Sequence, residues 1–411
     1  MWGSVAVENL TLDSRILFCA ITYARLVARK SLRVLYTIFT WSLMWLGMGV
    51  HPDADHEGTP FSSTHHPDRF ELAGTPLSAS GHVGVYSELR GDWKWQVELL
   101  CLESSYSSNF ICHLCRAHKH IQRLPFTQSR RDSYLRRTRI SWRQFRDWRA
   151  HLPEDATSPL LAIIGFTTWR CWVDVMHTLD LGVYQILAAA CLEELVKQGI
   201  WLGATVQDQY YLAHAEYKLW CRGQGIEPCP RFERSRLFPA GEFPAFTQQS
   251  AKAHQTKHLM GWLYSVLCRP GVSEGSDHQQ LRFTMFDQWN AFEKICARNG
   301  RFVIPMDRPL IGECVENALL CHNALAAEDN SLYHIVPKMH MCTHMAYDQA
   351  ASGINPRRCS NYADEDMVGK VKTITQSCHG RTAGASCMLR YCILVGTRWW
   401  TRLGQLRGIR P

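Results

Sequence analysis

The sequence predicts an α/β fold in which a region containing strands is followed by a large helical region. Residues 83–89 alternate apolar and polar side chains, as a half-buried strand does, and residues 160–166 (LLAIIGF) form a short apolar run typical of a buried strand. From about residue 185 to 355, nearly every periodic segment instead has apolar residues at helical spacing. The last part of the chain also has apolar residues at helical spacing.

Composition indicates a folded chain of more than one unit. The 411 residues exceed one ordinary domain, and 46% of them are hydrophobic, so there is ample material for a core. Lys and Arg exceed Asp and Glu by only 8, and this total alone requires no polyanionic partner. The 17 Cys are odd in number and irregularly spaced, which indicates reduced thiols and an intracellular compartment.

The N-terminal region, residues 1–50, is predicted to be helical. Residues 34–50 carry no charge and follow several basic residues, a pattern that a buried core helix and a short membrane span share. Apolar residues at helical spacing and the polar Thr37 and Thr40 favour the core helix, so a membrane partner is not expected. Residues 51–82 are rich in Pro, Gly, Ser and His, and are predicted to form a loop or linker.

Residues 83–184 are predicted to form the first part of the core. The strand at 83–89 leads to Asp92, and the WKWQVELLCL that follows has the spacing of a short helix. A Cys112-x-x-Cys115 pair and a basic segment come next.

The basic segment, residues 116–149, contains eleven Lys or Arg and two Asp. Aromatic residues lie between these charges, and the combination suits a surface that follows a phosphate backbone, with Arg136, Arg137 and Arg139 as candidate contacts. An ordinary solvated surface whose arginines pair with acids elsewhere is the alternative.

Residues 185–355 are predicted to be a helical insertion, and residues 356–411 to be C-terminal helices. The predicted helices are 183–197, 206–221, 248–268, 279–297, 309–327, 364–375 and 385–403.

Several acidic residues are candidates for binding a divalent metal. Two ions that act on a phosphate need converging carboxylates, and Asp92, Asp174, Glu365 and Asp366 are placed near element ends where acids can converge. The alternative is that these acids cap helices and that His177, close to Asp174, is a packed core histidine.

Two patterns suggest zinc. Cys112 and Cys115 supply half of a tetrahedral site. The possible completing ligands are His113, His118, His120 and the upstream Cys101, of which His118 is the preferred candidate. The alternative is a pair of partly buried free thiols. His340 and His344 lie four residues apart on one predicted helix face, a spacing that suits either one metal ion or ordinary helix packing.

Three stretches, in one order, carry a resemblance to a known family. GDWKWQVELLCLESSYSSNFICHLC, WVDVMHTLDLGV and SNYADEDMVGKVKTI resemble motifs of CACTA-type (En/Spm-like) and Plavaka-like transposases. The resemblance implies an RNase H-like core with a helical insertion, in which acids bind two Mg²⁺ ions that cut and rejoin DNA. It assigns Asp92 as the second acid, Glu365 or its neighbour Asp366 as the third, and Asp174 with His177 as an accessory element.

The family's first acid has no counterpart on a convincing strand before Asp92. The resemblance therefore implies a transposase-derived protein that binds DNA, in the nucleus, with impaired cutting activity, and it leaves homo-oligomer formation open. The alternative function is a non-catalytic, zinc-stabilised module that binds nucleic acid or protein. Phosphate-binding loops, dinucleotide-binding glycine patterns and hydrolase nucleophile elbows are absent from the sequence.

Overall fold

The computed structural model describes residues 2–4, 15–21, 26–27, 30–120, 126–127, 134–238 and 243–406. Helices dominate this part of the chain. Two short strands are β1 (Trp2–Ser4) and β2 (Arg15–Leu17). The α-helices are α1 (Lys30–Met48), α2 (Pro67–Leu72), α3 (Trp93–Leu99), α4 (Tyr134–Arg137), α5 (Trp142–Arg149), α6 (Tyr184–Lys197), α7 (Val206–Gln224), α8 (Arg234–Leu237), α9 (Ala253–Leu267), α10 (Asp277–Arg298), α11 (Asp307–Glu328), α12 (Pro337–His344), α13 (Tyr362–Gln376) and α14 (Ala383–Leu406).

Shorter helical turns join these helices. The 3₁₀ turns are Glu154–Ala156, Pro159–Ala162, Thr168–Arg170, Pro356–Cys359 and Gly380–Thr382, and the π-helical turns are Met176–Val183 and Met345–Gln349.

The chain divides into two compact units. The first unit contains Met1–Tyr86, Ser158–Phe166 and Asn361–Pro411, and the second contains Ser87–Thr157 and Thr167–Ser360. The second unit holds the larger core, so most of the protein's apolar burial occurs there.

The second unit is a helical bundle built around buried aromatic residues. The side chains of Trp262 and Trp289 are each 1% exposed, and they belong to one apolar cluster contributed by α6, α7, α9, α10, α11 and α12. Arg282 is also fully buried, and its guanidinium donates to Glu194 at 2.9 Å and to Gln198 at 3.1 Å. These partners neutralise a charge that would otherwise oppose burial.

Local signals in the sequence fix the ends of these helices. Thr205 and Asp208 form a reciprocal capping box at the start of α7, and Gly225 ends that helix in the left-handed region at φ +66°. Ser276 accepts a hydrogen bond from the Gln279 amide at 3.2 Å to cap α10. The helices predicted between residues 183 and 327 are confirmed within a few residues of their predicted ends.

The first unit has a smaller core. Leu17, Met367 and Tyr391 form its cluster, and the Leu17 amide donates to the Tyr391 hydroxyl at 3.2 Å. Strand β1 pairs antiparallel with β2, with Gly3 opposite Ile16. A helix is found within residues 1–50 as α1, but only Tyr36 and Thr40 of it are buried, so it is not the buried core helix that the sequence predicted. The predicted linker at 51–82 contains only the short helix α2. None of the helices in the described ranges is long and apolar enough to span a membrane.

The predicted α/β RNase H-like core is wrong, because the described residues form no sheet beyond the β1–β2 pair. Residues 83–89 make only an isolated bridge from Leu89 to Cys171, and Val83 and Val85 are 53% and 81% exposed. Residues 160–166 begin as a 3₁₀ turn after Pro159 rather than as a strand. A short apolar run such as 160–166 has no periodicity that distinguishes a strand from a helical turn. An alternating segment such as 83–89 forms a strand only where a neighbouring strand pairs with it.

A buried ion network in the second unit predicts sensitivity to acid. Arg357 Nη1 donates to both carboxylate oxygens of Asp180, at 2.9 and 2.8 Å, and its Nε and Nη2 donate to the two oxygens of Glu293. Burial raises the pKa of Glu293, but Arg357 and Lys257 lower it more, so the pKa lies below its ordinary value of 4.5. A carboxyl whose pKa is lowered by folding stabilises the protein above its unfolded-state pKa, and this contribution is lost as the pH falls through the folded value.

We therefore expect Glu293→Gln to lower the urea midpoint at pH 7 by breaking a buried pair, at a cost of about 3 kcal/mol. The difference from wild type should begin to shrink below pH 4.5 and should be lost only as the pH falls through the lowered pKa of Glu293 in the folded protein. Glu313→Gln, on the exposed face of α11, is the matched control and should leave both midpoints unchanged. An effect of Glu293→Gln that stays constant as the pH is lowered from 7 until the wild-type protein unfolds in acid would contradict this account.

Candidate metal centre

The Cys112-x-x-Cys115 pair lies in a tight turn of the second unit. The Ile111 amide donates to the Ala117 carbonyl at 3.1 Å and closes the turn, while the Leu114 amide donates to the Cys112 sulfur at 3.2 Å. Both thiols are buried, with exposures of 4% for Cys112 and 1% for Cys115. The turn therefore directs two sulfur atoms toward one interior point.

Helix α12 supplies two imidazoles to the same point. Pro337 occupies the start of the helix, where its missing N–H costs no hydrogen bond. His340 and His344 are four residues apart, so their side chains lie on the same helix face. Their exposures are 0% and 6%.

The two thiols and two imidazoles converge on one site. The Cys112 sulfur lies 3.2 Å from His344 Nε2, and the Cys115 sulfur lies 3.4 Å from His340 Nε2. The two Nε2 atoms are 3.1 Å apart, and all four ligand atoms lie within 4.8 Å of one another. Within the described ranges, no other cluster of His, Cys, Asp or Glu can hold a metal ion in this way.

These separations fit a tetrahedral zinc ion. Zinc bonds of ~2.3 Å to sulfur and ~2.0 Å to nitrogen place neighbouring ligand atoms ~3.3 to 3.8 Å apart at tetrahedral angles. Two thiolates and two imidazoles are also the donor set typical of structural zinc sites. Because four protein ligands complete a tetrahedron, the arrangement suits a structural ion better than one that binds a substrate.

Each imidazole is held by a partner on its other nitrogen. His340 Nδ1 donates to the carbonyl of Phe126 at 2.9 Å, and His344 Nδ1 lies 2.6 Å from the Asp348 carboxylate. Such contacts fix the tautomer that leaves Nε2 free for a metal, and they orient the ring. Asp348 in turn forms an ion pair with Arg139.

The electrostatics of the site favour a thiolate. Burial raises the pKa of the Cys112 thiol, but the hydrogen bond from Cys115 and the charges of His344 and His340 outweigh it, so this pKa lies well below its ordinary value. Burial lowers the pKa of His344, yet Cys112 and Asp348 together raise it to about 10, so a metal that binds His344 Nε2 must displace a proton from the ring. A thiolate is the form of cysteine that binds metal.

The structure places the two predicted cysteines in the cluster and the predicted histidine outside it. His118 lies outside the cluster, with its ring 4.7 Å from the Phe110 ring and its Nδ1 accepting from the His120 amide at 3.0 Å. The structure replaces it with His340 and His344, whose spacing had suggested a second, separate site. Local sequence patterns identified the cysteine pair and the histidine pair, but they did not indicate that the two pairs lie together.

The acids proposed for Mg²⁺ act locally in the structure. Asp92 caps α3 by accepting from the Trp95 amide at 2.7 Å. Asp174 accepts from the Met176 amide at 3.1 Å and the His177 amide at 3.3 Å, and it also pairs with the His177 imidazole. Both acids thus satisfy the amide groups at the start of a helical segment, and neither belongs to the metal-ligand cluster.

Glu365 and Asp366 lie in the first unit, whereas Asp92 lies in the second. Glu365 is exposed in the first turn of α13, and Asp366 pairs with Lys370. None of these acids belongs to the metal-ligand cluster. A magnesium site formed by Asp92 with Glu365 or Asp366 stays a prediction.

Two of the three candidate arginines contact the surroundings of the metal centre. Arg139 stacks on the Trp169 ring at 4.5 Å in addition to pairing with Asp348, and Arg136 lies 4.2 Å above the Tyr347 ring. Arg137 is exposed. Arg143 and Arg146, on α5, have side chains that are 87% and 66% exposed.

No protein-family model, curated protein or solved structure matches this chain.

The four-ligand cluster predicts one zinc ion per chain. We expect the purified protein to contain equimolar zinc by elemental analysis, and Cys112→Ser or His340→Ala to abolish stoichiometric retention because three ligands hold zinc much more weakly. Cys342→Ser is the matched control, since Cys342 lies between the two histidines on α12 but outside the cluster. His118→Ala should also retain zinc. Zinc loss in His118→Ala with retention in His340→Ala would refute this ligand set.

The contact from Asp348 to His344 predicts a positioning role for this carboxylate. We expect Asp348→Asn to weaken zinc affinity roughly 10- to 100-fold, as removal of an outer partner of a ligating histidine does. Competition with a chromogenic chelator measures this change, and Glu313→Gln serves as a charge-matched control on the exposed face of α11. An unchanged affinity would show that Asp348 pairs with Arg139 alone.

Proposed function

We propose that this chain is a transposase-derived, zinc-stabilised protein that binds nucleic acid through its basic segment, residues 116–149. The observation that carries the proposal is the direct contact between the candidate metal centre and this segment. Two of the ligands come from the turn that leads into the segment, and Arg139 reaches the Asp348 carboxylate behind His344.

Backbone contacts support a structural link between metal and basic segment. Cys115 and Arg139 form an antiparallel bridge, and the Ile140 amide donates to the Leu114 carbonyl at 2.9 Å. The segment thus returns to the Cys112–Cys115 turn just before α5 begins. A metal that holds the turn also holds the start of α5.

Helix α5 has the composition and exposure of a phosphate-binding surface. Ser141 and Gln144 cap it reciprocally, and Phe145 anchors its inner face at 2% exposure. Arg143 and Arg146 project into solvent beside Trp148, which is 43% exposed. Their contacts to Asp147, at 3.7 and 4.0 Å, are exposed ion pairs that phosphate can displace at little cost.

The resemblance to CACTA-type and Plavaka-like transposases supports DNA as the nucleic acid. It is carried by the stretches around Asp92, Asp174 and Glu365, together with the Cys112-x-x-Cys115 pair. The resemblance does not extend to a complete acid set, so the proposed activity is binding without efficient strand cutting. A zinc-stabilised module that binds protein is the alternative function.

Binding to double-stranded DNA tests the proposal. We expect the logarithm of the binding constant to fall linearly with the logarithm of salt concentration, and the double variant Arg143→Ala, Arg146→Ala to reduce that slope by about 2 because two phosphate contacts are lost. Fluorescence anisotropy at several salt concentrations measures both quantities. Cys112→Ser, which removes a metal ligand, should weaken binding as well.

The matched control is Lys218→Ala with Arg222→Ala on α7, two exposed cations whose removal changes the net charge equally. This control should leave the slope unchanged. Equal effects of the two double variants would show a non-specific charge effect, and an absence of DNA binding by the zinc-loaded protein would leave the protein-binding alternative.

A further inference from the structure

A small cavity lies between α9 and α10 in the second unit, away from the Cys–His cluster. Its volume is about 150 Å³, well below the roughly 300 to 1,000 Å³ of sites for drug-sized ligands. Its inner wall is formed by Met260, Phe286, Trp289 and Tyr184, which are all buried members of the main core. The space therefore suits one flat ring rather than an extended molecule.

The charges at the cavity neutralise one another. Glu293 accepts from the Tyr184 hydroxyl at 2.8 Å and from Arg357 Nε at 2.9 Å, and it lies 3.3 Å from the Lys257 ammonium. Asp180 shares the same arginine. Two cations thus balance two carboxylates, so the cavity offers no net charge that would select a small ion.

Two polar side chains in the cavity have hydrogen-bonding capacity to spare. In the described part of the chain, neither the Asn290 amide nor the His258 imidazole makes a side-chain hydrogen bond. Burial and the charge of Lys257 lower the pKa of His258, so its ring is neutral near pH 7 and carries one donor and one acceptor. The Asn290 amide adds a second donor and acceptor pair.

We infer that this cavity binds a single heteroaromatic ring whose edge alternates hydrogen-bond donors and acceptors, which is the chemistry of a nucleobase. Apolar walls enclose the ring, and Asn290 and His258 bind its edge. Asparagine matches such an edge with two bonds at once, as it does with adenine. That the base belongs to a nucleic-acid strand rests on the proposed function. A free nucleoside would present the same ring and the same hydrogen-bonding groups to the cavity.

Nucleoside binding tests the inference directly. Saturation-transfer NMR of the zinc-loaded full chain with adenosine, cytidine, guanosine and uridine should show saturable binding of at least one of them, with a Kd of about 1 mM, the range expected for a ligand that buries one ring. Ribose should not bind. Asn290→Leu should weaken the binding roughly tenfold or more, the effect of losing a bidentate contact.

Gln280→Leu, at an exposed position of the same helix α10, is the matched control and should bind nucleosides as wild type does. No saturable binding by the folded wild-type protein would overturn the inference. Nucleoside binding by Asn290→Leu as tight as that of wild type would also overturn it, as would competition by indole as effective as that of the nucleosides. Either result would show that the cavity does not recognise the hydrogen-bonding groups on the ring edge.

Single-stranded DNA separates the two sources of the base. If the base belongs to a strand, Asn290→Leu weakens binding of single-stranded DNA by the same factor and leaves duplex binding unchanged. If only nucleoside binding weakens, the site takes a free small molecule. Arg143→Ala with Arg146→Ala should lower duplex affinity without changing nucleoside affinity. Failure of the zinc-loaded wild-type protein to bind duplex DNA, with nucleoside binding intact, would refute the proposed function and not this site.

Discussion

The convergence of two thiols and two imidazoles is the interaction on which the functional part of this protein depends. Cys112 and His344 are separated by 232 residues in sequence and lie within 3.2 Å of each other. A metal ion shared by these ligands ties the Cys112–Cys115 turn to α12, which itself packs into the main core of the second unit. Metal binding free energy then becomes folding free energy for the turn.

The basic segment gains its position through this link rather than through a core of its own. Near the turn, the apolar cluster is small and consists of Ile111, Leu114, Ala117 and Leu135 with the two cysteines. Arg139 contacts Trp169 and Asp348 next to the metal ligands, although its side chain is 42% exposed, so it helps to hold the segment against the metal centre. Among the described residues of the segment, Arg143 and Arg146 on α5 have the most exposed of the cationic side chains discussed above. The proposed function therefore predicts that metal binding and nucleic-acid binding are coupled through the placement of α5.

Sequence patterns predicted the helices well because the apolar period of a helix is a local property. They predicted each half of the metal site for the same reason, since a Cys-x-x-Cys turn and a four-residue histidine spacing are both local. The pairing of these halves was not predictable, because no local rule fixes a contact across 225 residues. The strand prediction at 83–89 was wrong for a related reason. Val83 and Val85 alternate as in a strand but are exposed, and a sheet also needs a neighbouring strand, which the alternation does not predict.

Zinc X-ray absorption spectroscopy of the purified protein tests the central claim most directly. The account predicts two sulfur neighbours at about 2.3 Å and two nitrogen neighbours at about 2.0 Å, with the outer-shell scattering of two imidazole rings. Cys112→Ser with Cys115→Ser should remove the sulfur neighbours and leave any residual zinc in a nitrogen and oxygen environment. A wild-type spectrum with only nitrogen and oxygen neighbours, or a folded protein that retains no metal, would contradict the account.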